Sequence, residues 1–245
     1  MLSIPAKSTY WLTALFMLVI IIGVQWGFYE PYLSEFPNFI DTTPVIHIHG
    51  ALLMTWLWLL VIQPLLIYKK KIKWHRTLGK ISWVLGPLII ISLFLVGRGG
   101  YWRGMEFLQA SGGEFTLADN LSPMVLDIRG FITFAIFWAL AMGFRKNSAA
   151  HMRYMIGTGI LAIGPGIGRG LMSSFDMGLV PALTIADGID LVLVGLFLGY
   201  DLLRGKDYRP YLTVFILLLL GSILWQFSYS EAWQRFAQGY ADLLY

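Results

Sequence analysis

Seven stretches of this 245-residue chain are each close to 20 residues long, apolar and almost free of charge: 10–28, 45–68, 78–97, 123–144, 152–168, 183–203 and 211–229. A bilayer core about 30 Å thick takes roughly 20 residues of helix, and a backbone in hydrocarbon has to satisfy its hydrogen bonds within each segment. The sequence therefore predicts an all-α, polytopic integral membrane protein with seven transmembrane helices in a single domain. Residues 231–245 add an amphipathic helix, because Trp233, Phe236, Ala237, Tyr240 and Leu244 recur at helical spacing. Only 13% of the residues are charged and the mean hydropathy is +0.67, far from a soluble domain. The net charge of +4 is not gathered on any hydrophilic segment, which argues against a nucleic-acid partner.

Lys and Arg are divided unequally between the two sets of connections. Thirteen, including Lys69, Lys70, Lys71, Lys73, Arg145, Lys146 and Arg204, fall on one side, and five, Arg98, Arg103, Arg129, Arg169 and Arg235, fall on the other. The positive-inside rule then places the N-terminus in the cytoplasm and, after seven crossings, the C-terminus outside, as expected in a bacterial inner membrane. The outer connections are acidic, with Glu30, Glu35 and Asp41 in the first and Glu106, Glu114 and Asp119 in the second. They are surfaces on which partner membrane subunits could dock. The chain contains no cysteine, which removes disulfides, thiolate metal sites and iron–sulfur clusters from consideration.

Ionisable residues inside a span are costly, so those retained are candidates for function. They form two layers. The cytoplasmic layer holds His75 and Arg76 at the start of the third span and His151 and Arg153 at the start of the fifth. These two spans run in the same direction, so the two imidazoles lie at matched depth and could face each other across a flat ligand. Bis-imidazole ligation of haem b suits that arrangement, with Arg76 and Arg153 neutralising the propionates. The competing reading makes the same residues interfacial anchors.

The outer layer holds His47, His49, Asp127, Arg129, Arg169, Asp187 and Asp190. Three readings remain open for it. Asp127 or Asp190 could pair with Arg129 or Arg169 as a structural ion pair. His47 and His49 could hold a divalent metal such as zinc with Asp127 or Asp190, as in a metal-dependent membrane enzyme. On a regular helix, however, two residues two apart diverge by about 200°. The third reading is a polar pocket for a quinone or other small molecule, in which His49 and Asp190 hydrogen-bond the ligand and Arg129 or Arg169 attracts its carbonyl. The run Gly164-Pro165-Gly166-Ile167-Gly168-Arg169-Gly170 follows no strand, so it is not a phosphate loop; it predicts close helix packing and a proline-broken helix that aims Arg169 inward.

His49-Gly50, His75-Arg76-Thr77-Leu78-Gly79 and His151-Met152-Arg153-Tyr154-Met155, followed by Arg169, resemble the motifs of an uncharacterised bacterial domain-of-unknown-function family of predicted multi-pass membrane proteins. That resemblance covers helices two to five and implies no particular activity. More distantly, the order is similar to cytochrome b561-type electron carriers, in which histidines on core helices two and four hold one haem and those on three and five another. Carried over, the similarity implies one cytoplasmic-side haem on His75 and His151. His47 or His49 fits the helix-two ligand, but helix four offers Asp127 in place of histidine, so the resemblance implies at most one haem. The combined expectation is a b-haem redox protein with an outer polar pocket. The alternatives are a metal-dependent enzyme and a non-catalytic subunit of a membrane complex.

Overall fold

A computed structural model describes residues 7–40 and 42–245; Asp41, counted above among the acidic loop residues, lies outside them. The described residues form helices and connections, with no strand among them. The helices are α1 (Lys7–Gly27), α2 (Pro44–Tyr68), α3 (Ile72–Gly79), α4 (Ser82–Ala110), α5 (Leu117–Leu121), α6 (Met124–Gly143), α7 (Ser148–Ile160), α8 (Ile163–Phe175), α9 (Leu179–Leu203), α10 (Arg209–Gln226) and α11 (Glu231–Leu244). Seven crossings are long and apolar enough to span a membrane, with α3 joined to α4, α5 to α6 and α7 to α8. Their outward positions carry large exposed apolar side chains, such as Val19, Ile22, Val84, Val192 and Leu196, as lipid-facing helices require.

Three departures from the seven simple spans have local causes. The basic segment before the third span is a separate short helix, α3, offset from α4 by a break at Lys80–Ile81. At about 1.5 Å per residue, α4 is ~43 Å long, so its last turns, with Arg98, Arg103 and Glu106, reach beyond a hydrocarbon core of about 30 Å. The fifth span is broken between α7 and α8 at Leu161–Ala162. Pro165 has no N–H to give the carbonyl four residues earlier, that of Leu161, so the break precedes the proline by one turn.

This break decides the architecture. The other spans form a closed ring in the order α1, α2, α4, α6, α10, α9, with α8 between α9 and α1. At the basic end, α7 fills the centre of the ring and touches α1, α2, α6 and α10. Beyond the break, α8 moves outward between α1 and α9, so that no helix occupies the centre of the other half. The outward course is fixed by backbone contact: an added Cβ on Gly27 of α1 would fall well inside contact distance of the Gly166 carbonyl of α8. The main apolar core sits at the filled level, around Met17, Trp56, Ile89, Phe137, Ile160, Val194 and Val214.

The end opposite the basic turns is closed in part by α11. Ser230 caps it by accepting from the Trp233 N–H at 3.3 Å. Its apolar face packs on protein, against Tyr101, Leu121, Met124 and Ile128. Arg98 Nε and Trp102 Nε1 both donate to the Tyr245 main-chain oxygen, at 3.2 and 3.1 Å.

Candidate functional site

Two of the arginines in the spans are neutralised by aspartate. Arg129 on α6 grips Asp187 on α9 with two bonds, Nη1 to Oδ2 at 2.8 Å and Nη2 to Oδ1 at 2.6 Å, and Ser222 on α10 donates to the same carboxylate at 3.1 Å. Arg153 on α7 grips Asp201 on α9 through Nε and Nη2 at 2.6 and 3.0 Å, and donates to Ala149 O at 2.9 Å. Bidentate forks of this kind are what allow charges to stay among apolar helices.

These pairs correct the sequence reading in two respects. Arg129 takes Asp187, not Asp127 or Asp190, reaching it past α10, whose Ser222 donates to the same carboxylate. Arg153 is consumed by Asp201 and is not free for a haem propionate. Asp201 had not been singled out, since it lies beside Arg204 at the end of its span. The available signal was that Arg153 and Asp201 lie at similar distances from the basic end.

Arg169 on α8 has no carboxylate within ion-pair distance among the described residues. Its guanidinium lies 4.7 Å from the Phe28 ring centroid and donates to Pro165 O at 3.3 Å. His49 on α2 and Asp127 on α6 both lie within electrostatic reach of it, across the ring. Arg169 therefore points inward, yet it remains exposed. We call this level of the ring, from which α8 has moved aside, the vestibule.

His49 is half-buried in that vestibule, and its tautomer follows from its partners. The Ser92 hydroxyl donates to Ile89 O at 2.8 Å, so its oxygen has to accept from His49 Nδ1, 3.0 Å away. Nδ1 thus carries the proton and Nε2 presents a free lone pair. Asp127 approaches α4 at Gly97, where an added Cβ would stand 2.9 Å from Asp127 Cβ and 3.0 Å from Tyr245 Oη. Asp127 also lines a cavity of about 580 Å³ with Tyr101, Phe115, Trp225 and Tyr229, within the size range of small-ligand sites. In α11, beyond the spans, burial together with the charges of Tyr240 and Asp127 pushes the Tyr245 phenol up. Ser92 and Tyr245 were not among the residues singled out from sequence.

The remaining candidates are distributed differently. His47 accepts a hydrogen bond from, or donates one to, the Tyr32 hydroxyl at 2.6 Å under Phe39, away from His49. Residues 44–68 are helical, so the two imidazoles diverge. Among the described residues no three His, Asp or Glu side chains gather as a metal site requires. The metal set His47, His49, Asp127 and Asp190 is therefore not assembled. Asp190 is buried on α9 with Oδ1 lacking a hydrogen-bond partner.

At the basic end, His75 on α3 and His151 on α7 lie within electrostatic reach of each other. His151 Nδ1 donates to Ala141 O at 2.8 Å, leaving Nε2 free in the form a haem iron binds. The Gln63 amide, placed so that its oxygen accepts from the Gly79 N–H at 3.0 Å and its NH2 donates to His75 O at 3.2 Å, also donates to His75 Nδ1 at 2.5 Å. In that placement Gln63 occupies His75 Nδ1. His151 thus presents a free Nε2, His75 is engaged by Gln63, and Arg153 is already paired.

No family model, curated protein or solved structure matches the chain.

Proposed function

We propose that this protein binds a quinone-type ligand in the vestibule lined by His49, Asp127 and Arg169. One observation carries the proposal: of Arg129, Arg153 and Arg169, Arg169 alone has no carboxylate at ion-pair distance among the described residues, and its side chain keeps exposed surface. A cation is retained without a partner in such a place when something else supplies the negative or carbonyl oxygen.

The donor and acceptor pattern selects the ligand class. Arg169 can only donate, so it receives a carbonyl oxygen. His49 Nε2 can only accept in its present tautomer, so it receives a hydroxyl proton. A quinol satisfies both groups on one flat apolar ring, one hydroxyl donating to His49 Nε2 and the oxygen of the other accepting from Arg169, and its quinone keeps the Arg169 bond through a carbonyl; the Asp127 carboxylate offers a second acceptor for a quinol proton. With the basic end in the cytoplasm of a bacterial inner membrane, the vestibule opens on the opposite side.

The test is a titration of the detergent-purified protein with a short-chain ubiquinone analogue, followed by quenching of tryptophan fluorescence. Saturable quenching that a quinol analogue competes away is expected. Quenching that rises linearly, as it does for partition into micelles, would refute the proposal.

The haem reading makes a separate prediction. A featureless spectrum from protein expressed with ample haem would remove that reading. A b-type Soret band lost in both His75→Ala and His151→Ala would support it.

A further inference from the structure

Asp190 stands apart from both the vestibule groups and the ion pairs. It lies on α9 one turn from Asp187, so the two carboxylates share a face, and a single guanidinium, Arg129, serves that face. Arg129 spends its two terminal nitrogens on Asp187, and Ser222 of α10 donates to Asp187 as well. From α8 the group opposite Asp190 is the backbone at Gly164, where an added Cβ would stand 3.7 Å from Asp190 Oδ2. Asp190 itself is 5% exposed, and its Oδ1 has no hydrogen-bond partner among the described residues.

Two carboxylates against one arginine leave this buried cluster one positive charge short. We propose that Asp190 is a reversible proton-binding site within the bundle. A proton neutralises the carboxylate at one oxygen and needs no further ligands. A metal cation needs several oxygens, and no such group is assembled among the described residues. The site has a mechanical neighbour. Gly164 belongs to the first turn of α8, just after the Leu161–Ala162 break, and Arg169 is five residues further along the same helix. Gain or loss of the proton thus acts on the helix that carries Arg169. The proposal does not require that the vestibule bind a quinone.

The test is infrared spectroscopy of the protein in dodecyl maltoside, a detergent without ester carbonyls. A carboxylic-acid C=O band is expected in the wild-type protein at neutral pH, shifted by deuteration and by 13C-aspartate labelling. It should be absent from the isosteric Asp190→Asn variant and retained in Asp127→Asn and Asp201→Asn. Raising the pH should remove it reversibly. The 13C shift in the wild-type protein keeps the test decisive even if a variant folds poorly. Absence of the band from the wild-type protein, its survival in Asp190→Asn, or its suppression by sodium at constant pH would each overturn the proposal.

Discussion

Replacing Arg153 with alanine is expected to lower stability by about 3–5 kcal/mol, the range found when one member of a buried pair is removed. The side chains of Arg153 and Asp201 retain only 7% and 3% of their exposure, and the fork between them is bidentate. The cost comes from the carboxylate left behind: Asp201 would stand among apolar helices with neither a counter-charge nor water. The double change Arg153→Met with Asp201→Leu removes both charges and should recover most of the loss. Arg153→Lys keeps the charge but not the fork and should fall between the two. Thermal unfolding in one detergent, followed by circular dichroism, compares them. A single variant as stable as the wild type, or a double variant as damaged as the single, would contradict this reading of the pair.

Arg169→Leu should behave in the opposite way, losing affinity for the quinone analogue while keeping its stability. A hydrogen bond from a charged group contributes about 1.5–3 kcal/mol, and each 1.4 kcal/mol is tenfold, so affinity should fall by about 10- to 150-fold. Stability should change little, because no carboxylate lies at ion-pair distance to be left behind. Arg129→Leu supplies the contrast: it strands Asp187 and should destabilise the protein whether or not ligand is present. Equal affinity in wild type and Arg169→Leu, or a large loss of stability in Arg169→Leu, would remove the reason for calling Arg169 a ligand group.

The spans were legible from sequence because hydrocarbon thickness sets a helix length that a run such as 183–203 either meets or does not; α9 spans Leu179–Leu203. The break in the fifth crossing was legible in kind from Pro165. Its position one turn earlier follows from which carbonyl loses its donor. Pairing was harder to read. Asp127, Asp187 and Asp190 all lie near the same end, and the choice among them for Arg129 depends on helix rotation, which an almost uniformly apolar helix does not encode in its periodicity. Asp201 sits in the last turn of its span, three residues before Arg204, where a carboxylate at the membrane boundary carries no signal of a distant partner. The proton positions on His49 and His151 and the engagement of His75 depend on Ser92, the Ala141 carbonyl and Gln63, contacts distant in sequence that only the packed helices bring together.

The vestibule itself is the central structural claim, and the absence of native cysteine makes it directly accessible to thiol chemistry. Arg169→Cys, with Ile89→Cys in the closed core as the control, can be treated with a small charged methanethiosulfonate reagent in detergent. Ile89 has 0% exposure, whereas Arg169 is exposed. The expected result is rapid modification at 169 and little at 89. Modification at 169 as slow as at 89 would mean that the centre of the bundle is closed beyond the α7–α8 break and would contradict the account.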